Sequence, residues 1–441
     1  MSEMPDKDAA AARIAEIERE RNPIKRAGKV LGPGLITGAS DDDPSGIGTY
    51  AVAGDTLGLT TLWTALLSFP LMAAVQNICA RIGLISGVGL ARVIKERYPR
   101  WILYPAVFAL FVANTINVGA DLGAVADAIG LLVGVHAVWL VIPVAVGILA
   151  FQIFGSYRLI ARVFKYLTIA LLAYVVDAVV VHPDLRETLR AAVVPTFSLD
   201  PRYVATLVAI LGTTISPYLF FWQSSEEVEE EIAEGRKTEA ARKGASPAEL
   251  RYATIDVNVG MGVSNLVMFF IIFATALTLF KDGKTDIRNA ADAAEALRPI
   301  AGDLAGILFA GGMIGAGLLA IPILSGSAAY AVSEAFGWTA GLEERWDRAK
   351  PFYGVIILAT IVGMVLNFTG IDPIDALFYT AILNGIIAPP LLVLVMLVAR
   401  DRKVMGDQTI GPVLTTLGWL ATTAMFLALA GLAYTTFFAA P

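Results

Sequence analysis

The sequence predicts an all-helical protein that crosses a membrane about eleven times, and three observations carry that expectation. Hydrophobic residues make up 56% of the 441-residue chain and charged residues only 16%, against roughly a quarter charged in a soluble domain. Apolar runs near the length that spans a bilayer, roughly 20 residues, recur along the chain. The basic residues cluster between alternate runs, on one predicted side.

The runs fall at approximately 30–57, 59–81, 101–129, 136–155, 159–181, 202–225, 253–280, 300–335, 351–370, 374–399 and 411–438. Cytoplasmic loops should be rich in Lys and Arg. With the N-terminus inside, 26 of the 33 basic residues lie in the tail and in the segments 81–100, 158–165, 236–251, 345–350 and 400–403, leaving 7 outside. The expectation is a multi-pass protein of a bacterial-type inner (plasma) membrane, with a cytoplasmic N-terminus and an extracytoplasmic C-terminus. Residues 1–28 are charged and alanine-rich without an apolar core or cleavage site, so they read as a cytoplasmic amphipathic segment rather than a signal peptide. Residues 29–441 read as one transmembrane domain. The single cysteine, Cys79, lies in an apolar run, which leaves no disulfide framework or thiolate cluster.

Two spans are interrupted. The first holds GASDDDPSGIG over residues 38–48, with Asp41, Asp42 and Asp43 before Pro44. A carboxylate at bilayer depth costs several kcal/mol unless it is needed there. The sixth, VATLVAILGTTISPYLFFWQ, carries Pro217 after Thr213, Thr214 and Ser216. Proline removes a backbone donor and clashes with the preceding turn, and unwound backbone is tolerated at that depth only where protein or a water-filled cavity satisfies it. Ordinary proline kinks are the bland alternative, but kinks do not require carboxylates. Breaks at corresponding positions of two five-span halves point to a transporter built of inverted repeats with its binding site at the midplane. Repeat one covers about 30–181, repeat two about 202–399, and an extra helix about 411–438. Exposed carbonyls with a carboxylate form a hard oxygen cage suited to Mg²⁺, Ca²⁺ or Mn²⁺. A cationic organic solute is the alternative, with Tyr218, Phe220, Phe221 and Trp222 as aromatic walls.

The stretch GPGLITGASDDDPSGIGTY resembles the first-span signature of the Nramp divalent-metal transporters, GPG followed by DPGN. The likeness continues through CARIGLISGVGLARVIKERYPRW, GTTISPYLFFWQS and DPIDALFYTAILNGIIAPP. It implies a LeuT-type fold, spans 1 to 5 and 6 to 10 being inverted repeats, with metal held where helices 1 and 6 unwind at the midplane. Asp43 then falls on the family's metal-binding aspartate, and Ser40 and Thr213 fall on positions that offer backbone carbonyls. The ligand asparagine is Gly46 here, and the soft methionine of span 6 is Ser216, whose hydroxyl is a hard, weak ligand. Oxygen for sulfur, and nothing for asparagine, leaves a roomier and harder site that keeps waters on the ion, as Mg²⁺ prefers. Asp41 and Asp42, which replace uncharged residues, are placed to accept hydrogen bonds from such waters. The resemblance is therefore closest to the Nramp-related magnesium transporters.

Proton relays across membranes use Asp, Glu and His. His136 and His182 lie at predicted outer ends of spans, Gln223 stands where the family has a histidine, and Ala124 where it has a glutamate. Asp121 matches the family's span 3 aspartate and with Asp127 forms the only residual proton route, so potential-driven uptake of Mg²⁺ or Mn²⁺ is favoured over a proton-coupled Mn²⁺ or transition-metal importer. The acidic run in 224–243 reads as a solvated helix extension, ahead of a cation exit vestibule. Asn384 is a candidate for contact with ion-bound water. Asn114, Asn117, Asn258 and Asn265 read as interhelical hydrogen-bond partners, and the Gly-rich span 8 as close packing. No nucleotide-binding loop is present, so neither an ATPase subunit nor a resident cofactor is implied, nor any nucleic acid; the partners are the metal substrate and the bilayer. The expectation is not an enzyme. An organic-solute symporter of the same fold, or an aspartyl protease using Asp43 and Asp121, are the competing classes.

Overall fold

The computed structural model describes residues 14–154, 184–283, 287, 289–297, 302–342 and 344–438. Ten of the eleven expected spans lie among them; the fifth, at 159–181, and His182 lie outside the described residues. A short helix, α1 (Pro23–Val30), leads into span 1, which is split into α2 (Pro33–Asp41) and α3 (Pro44–Leu57). Spans 2, 3 and 4 are α4 (Trp63–Ser86), α6 (Arg100–Val133) and α7 (Ala137–Phe154), with the short α5 (Leu90–Arg97) between the first two. After the connecting helix α8 (Leu185–Val193), span 6 is split into α9 (Pro201–Thr214) and α10 (Pro217–Ala233). Spans 7 to 11 are α11 (Pro247–Thr275), α12 (Ala305–Phe336), α13 (Lys350–Leu366), α14 (Pro373–Arg400) and α15 (Pro412–Phe437).

The helices pack in two groups. Spans 1, 2, 6 and 7 contact one another through α2 on α11, α10 on α4 and α11 on α4. Spans 3, 4, 8 and 9 form the second group around α6, whose main neighbours are α12, α13 and α7. Helix α14 touches both groups through α6, α9 and α3, and α15 lies outside against α4, α9 and α14. The glycines of span 8 do pack closely: a Cβ on Gly317 would lie 2.2 Å from Val125 Cγ2.

Both breaks share one local device. Asp42 turns out of the helix at φ −84°, ψ 48°, Asp43 is extended at φ −67°, ψ 167°, and Pro44 opens α3. In span 6, Ile215 leaves the helix at φ −117°, ψ 58°, Ser216 is extended at φ −74°, ψ 132°, and Pro217 opens α10. Proline suits a first helical position, where its missing N–H would have had no partner. Pro70, Pro105, Pro143, Pro322 and Pro389 instead sit inside continuous helices.

Candidate metal centre

The two breaks face each other, and the residues around them are buried. Asp43 caps α3: its Oδ1 accepts from the Gly46 N–H at 2.6 Å and from Ser45 Oγ at 2.8 Å. Its Oδ2 is approached by Tyr218 Oη at 3.3 Å. Tyr218 also donates to the Ser40 carbonyl at 2.7 Å, so one of the two carbonyls expected to face a metal already accepts a hydrogen bond. The Thr213 carbonyl does as well, since Ser216 Oγ donates to it at 2.6 Å and to the Gly212 carbonyl at 3.0 Å. Ser216 thus turns its hydroxyl back on its own helix end.

Gly46 lies in the narrow gap between the breaks. A Cβ there would lie 3.2 Å from the Asp41 carbonyl oxygen, 3.2 Å from Thr213 Oγ1 and 3.4 Å from Asp43 Oδ1. Every group these distances place around Gly46 is an oxygen. Asp41 Oδ1, Thr213 Oγ1 and Tyr50 Oη are buried without a hydrogen-bond partner. Buried polar atoms left unpaired are costly, which marks this pocket as built for a polar guest. Among the described residues no three His, Cys, Asp or Glu side chains are arranged to hold a metal. The groups brought together here are one carboxylate with hydroxyls and carbonyls, a hard oxygen set.

The other expected residues divide. Asp41 and Asp42 are buried at the end of α2, and one hydroxyl, Ser264 Oγ, contacts both, at 2.6 Å and 3.2 Å. Asn384 accepts from Asn117 at 3.0 Å, while its own Nδ2 has no partner. Gln223 lies two turns below the break and donates to Glu227 at 2.9 Å. Asp121 is fully buried within electrostatic reach of Asp43. Asp127 instead accepts from the Ala290 N–H at 2.6 Å and so holds the loop before span 8. The four asparagines expected to bridge helices do so: Asn114 donates to the Leu324 carbonyl, Asn77 donates to Asn258, and Asn265 donates to the Ala65 carbonyl, alongside Asn117 with Asn384.

The acidic run after span 6 is not a solvated extension. Helix α10 continues to Ala233, and Glu226, Glu227 and Glu231 on it are buried. Arg236, 4% exposed, reaches Glu231, Glu234 and Glu249 at 2.9, 3.2 and 2.8 Å. The pairing accounts for the burial of Glu231, because a buried cation and its carboxylates are tolerated only together, while Glu227 accepts from Gln223.

Tyr50, Ser264 and Asp256 are not singled out by the sequence, and Tyr218 reads there only as an aromatic wall, yet its hydroxyl links the two breaks. Tyr50 follows Gly46 by four residues and shares its helix face, a signal that was available. Nothing in the sequence ties Ser264 or Asp256, more than 200 residues away, to span 1.

Two helices broken at facing points, in two packed groups of spans, define the class: an all-helical membrane protein of the LeuT-type fold. The fold agrees with solved transporters. A manganese transporter of Eremococcus coleocola matches with a TM-score of 0.70 at 16% identity, covering 96% of this chain and 90% of that one. MhsT, solved in complex with L-phenylalanine, matches at 0.61 and 11% identity, covering 90% of this chain and 98% of that one. The family of natural resistance-associated macrophage protein-like (Nramp) proteins matches residues 34–435, and the chain belongs to it. Among its curated relatives is the divalent metal cation transporter MntH of Deinococcus radiodurans, 27% identical over 415 residues, covering 90% of this chain and 87% of the relative. A second MntH, from Aeromonas hydrophila, is 26% identical over 401 residues, covering 89% of this chain and 92% of the relative.

Proposed function

We propose that this chain imports hard divalent cations, Mg²⁺ foremost and Mn²⁺ beside it, by alternating access around the two breaks and without proton co-transport. The observation that carries the reading is the surround of Gly46, where no side-chain ligand stands and the nearest groups are the Asp41 carbonyl, Thr213 Oγ1 and Asp43 Oδ1. An oxygen-only surround without a sulfur ligand favours an ion that dehydrates reluctantly over one that seeks sulfur. The names of the relatives, divalent metal cation transporters and a manganese transporter, support the substrate class. Asp43 is the ligand in this reading, with Thr213 and the carbonyl ends of α2 and α9 beside it. The distribution of Lys and Arg supports a cytoplasmic N-terminus.

A second reading, proton-coupled Mn²⁺ import, is favoured by one observation, the buried Asp121 near Asp43. Against it, Gln223 is bonded to Glu227 and Asp127 to a loop amide, so both are engaged elsewhere. Purified protein in liposomes loaded with a pH dye and a Mg²⁺ indicator separates the two readings. The expected result is Mg²⁺ entry, driven by an inside-negative potential, with an unchanged lumenal pH. A lumenal acidification that scales with metal entry overturns the uncoupled reading.

A further inference from the structure

Asp256, Gly260 and Ser264 follow one another at four-residue spacing on α11, so they share one helix face, and each of them holds α2. The Asp256 carboxylate accepts from the N–H groups of Gly32, Gly34 and Leu35 at 2.9, 2.7 and 3.0 Å, capping the start of α2. Gly260 permits backbone contact: a Cβ on Gly38 would lie 2.2 Å from the Gly260 carbonyl carbon, and one on Gly260 would lie 2.1 Å from the Gly34 oxygen. Ser264 Oγ meets Asp41 Oδ2 at 2.6 Å and Asp42 Oδ1 at 3.2 Å at the far end. Held at both ends and in the middle, α2 has one register on span 7.

We propose that Ser264 is a positioning residue for ion selectivity, its hydroxyl fixing the spacing of the Asp41 and Asp42 carboxylates so that they meet the water shell of the transported cation rather than the ion itself. The inference rests on the reading above, in which the ion crosses partly hydrated. Two neighbouring buried carboxylates repel, and one hydroxyl within reach of both gives them a common anchor. Asp41 Oδ1, buried and without a partner, is the acceptor left for an ion-bound water. Without the hydroxyl both carboxylates are free to turn toward a bare ion. That change favours Mn²⁺, because Mg²⁺ gives up its waters reluctantly and divalent sites of this kind bind Mn²⁺ at least as readily once water is lost.

The test is competitive uptake of Mg²⁺ and Mn²⁺ into proteoliposomes by wild type, Ser264→Ala and Ser264→Thr. The ratio is read within each sample, so a loss of folded protein does not alter it. Hydrogen bonds to charged groups are strong enough that Ser264→Ala should lower the Mg²⁺/Mn²⁺ uptake ratio by about tenfold, while Ser264→Thr, which keeps the hydroxyl, stays near wild type. An unchanged ratio in Ser264→Ala, or an equal fall in both variants, overturns the proposal. Wild type that carries no Mg²⁺ overturns the hydrated-ion reading and this inference with it; wild type that carries Mg²⁺ while Ser264→Ala keeps its ratio overturns this inference alone.

Discussion

At the break in span 1 the groups at the end of α2 are answered from other helices, whereas at the break in span 6 those at the end of α9 are answered by the span itself. In span 1 the Ser40 carbonyl takes Tyr218, and the Asp41 and Asp42 side chains take Ser264. In span 6 the Gly212 and Thr213 carbonyls take Ser216, four and three residues on. A break supported from outside takes its shape from the packing of the helices that hold it. A self-contained break keeps its shape by itself. Span 1 is thus the responsive side of the centre, set by spans 6 and 7, and span 6 the rigid side, set by its own backbone.

The largest effect should follow from removing the carboxylate at the responsive side. Asp43→Ala is expected to abolish divalent-metal uptake in proteoliposomes. The lost cap on α3 should cost only about 1 kcal/mol of stability, so the variant should still fold, with a thermal unfolding midpoint near that of wild type. Wild-type uptake by folded Asp43→Ala would move the ion away from the span 1 break.

A smaller, differential effect should follow from filling the gap between the two sides. The distances at Gly46 leave space for an added Cβ if its oxygen neighbours yield by a few tenths of an ångström. Gly46→Asn then directs an amide into the gap, and Ser216→Met adds a thioether from the opposite side. The double variant should bind Cd²⁺ more tightly and Mg²⁺ more weakly, each by roughly tenfold, about 1.4 kcal/mol, because the thioether matches Cd²⁺ and displaces an oxygen that Mg²⁺ needs. Calorimetry with both ions checks it. A parallel loss for both ions would show that selectivity resides elsewhere, with Asp41, Asp42 and Ser264 as the next place to look.

How much of this was legible depended on the range of the physics. The described spans were readable because crossing a bilayer demands a local run of apolar residues, and their centres fall where the runs fall. Their ends were less so: span 6 runs on to Ala233, with Glu231 and Glu234 of the acidic run 224–243 paired to Arg236 and Glu227 bonded to Gln223. The breaks were readable only where proline coincided with small or acidic residues; Pro322, in an equally glycine-rich span, lies within a continuous helix. Asp43 and Gly46 stood out because both belong to one short stretch of chain. Asp256 and Ser264 did not, since a polar residue in a membrane helix is ordinarily an interhelical partner and only the folded chain shows which helix it meets. The hydrogen bonds that the Ser40 and Thr213 carbonyls accept, from Tyr218 and Ser216, were hidden for a similar reason.

The smallest effect should come from the hydroxyl on the self-contained side. Ser216 Oγ donates to carbonyls of its own helix, so Ser216→Ala removes a support of the break and no ligand. Leaving one buried carbonyl with fewer donors should cost about 1 kcal/mol of stability, read as a small fall in the thermal midpoint. Mg²⁺ uptake should change by less than about threefold, because the Thr213 carbonyl released by the change still lies at the end of α9 and water can take the place of the hydroxyl. A fall in Mg²⁺ affinity of tenfold or more, with the midpoint unchanged, would show that the Ser216 oxygen itself binds the ion. The contrast between a responsive and a rigid break would then give way to one in which both sides carry ligands.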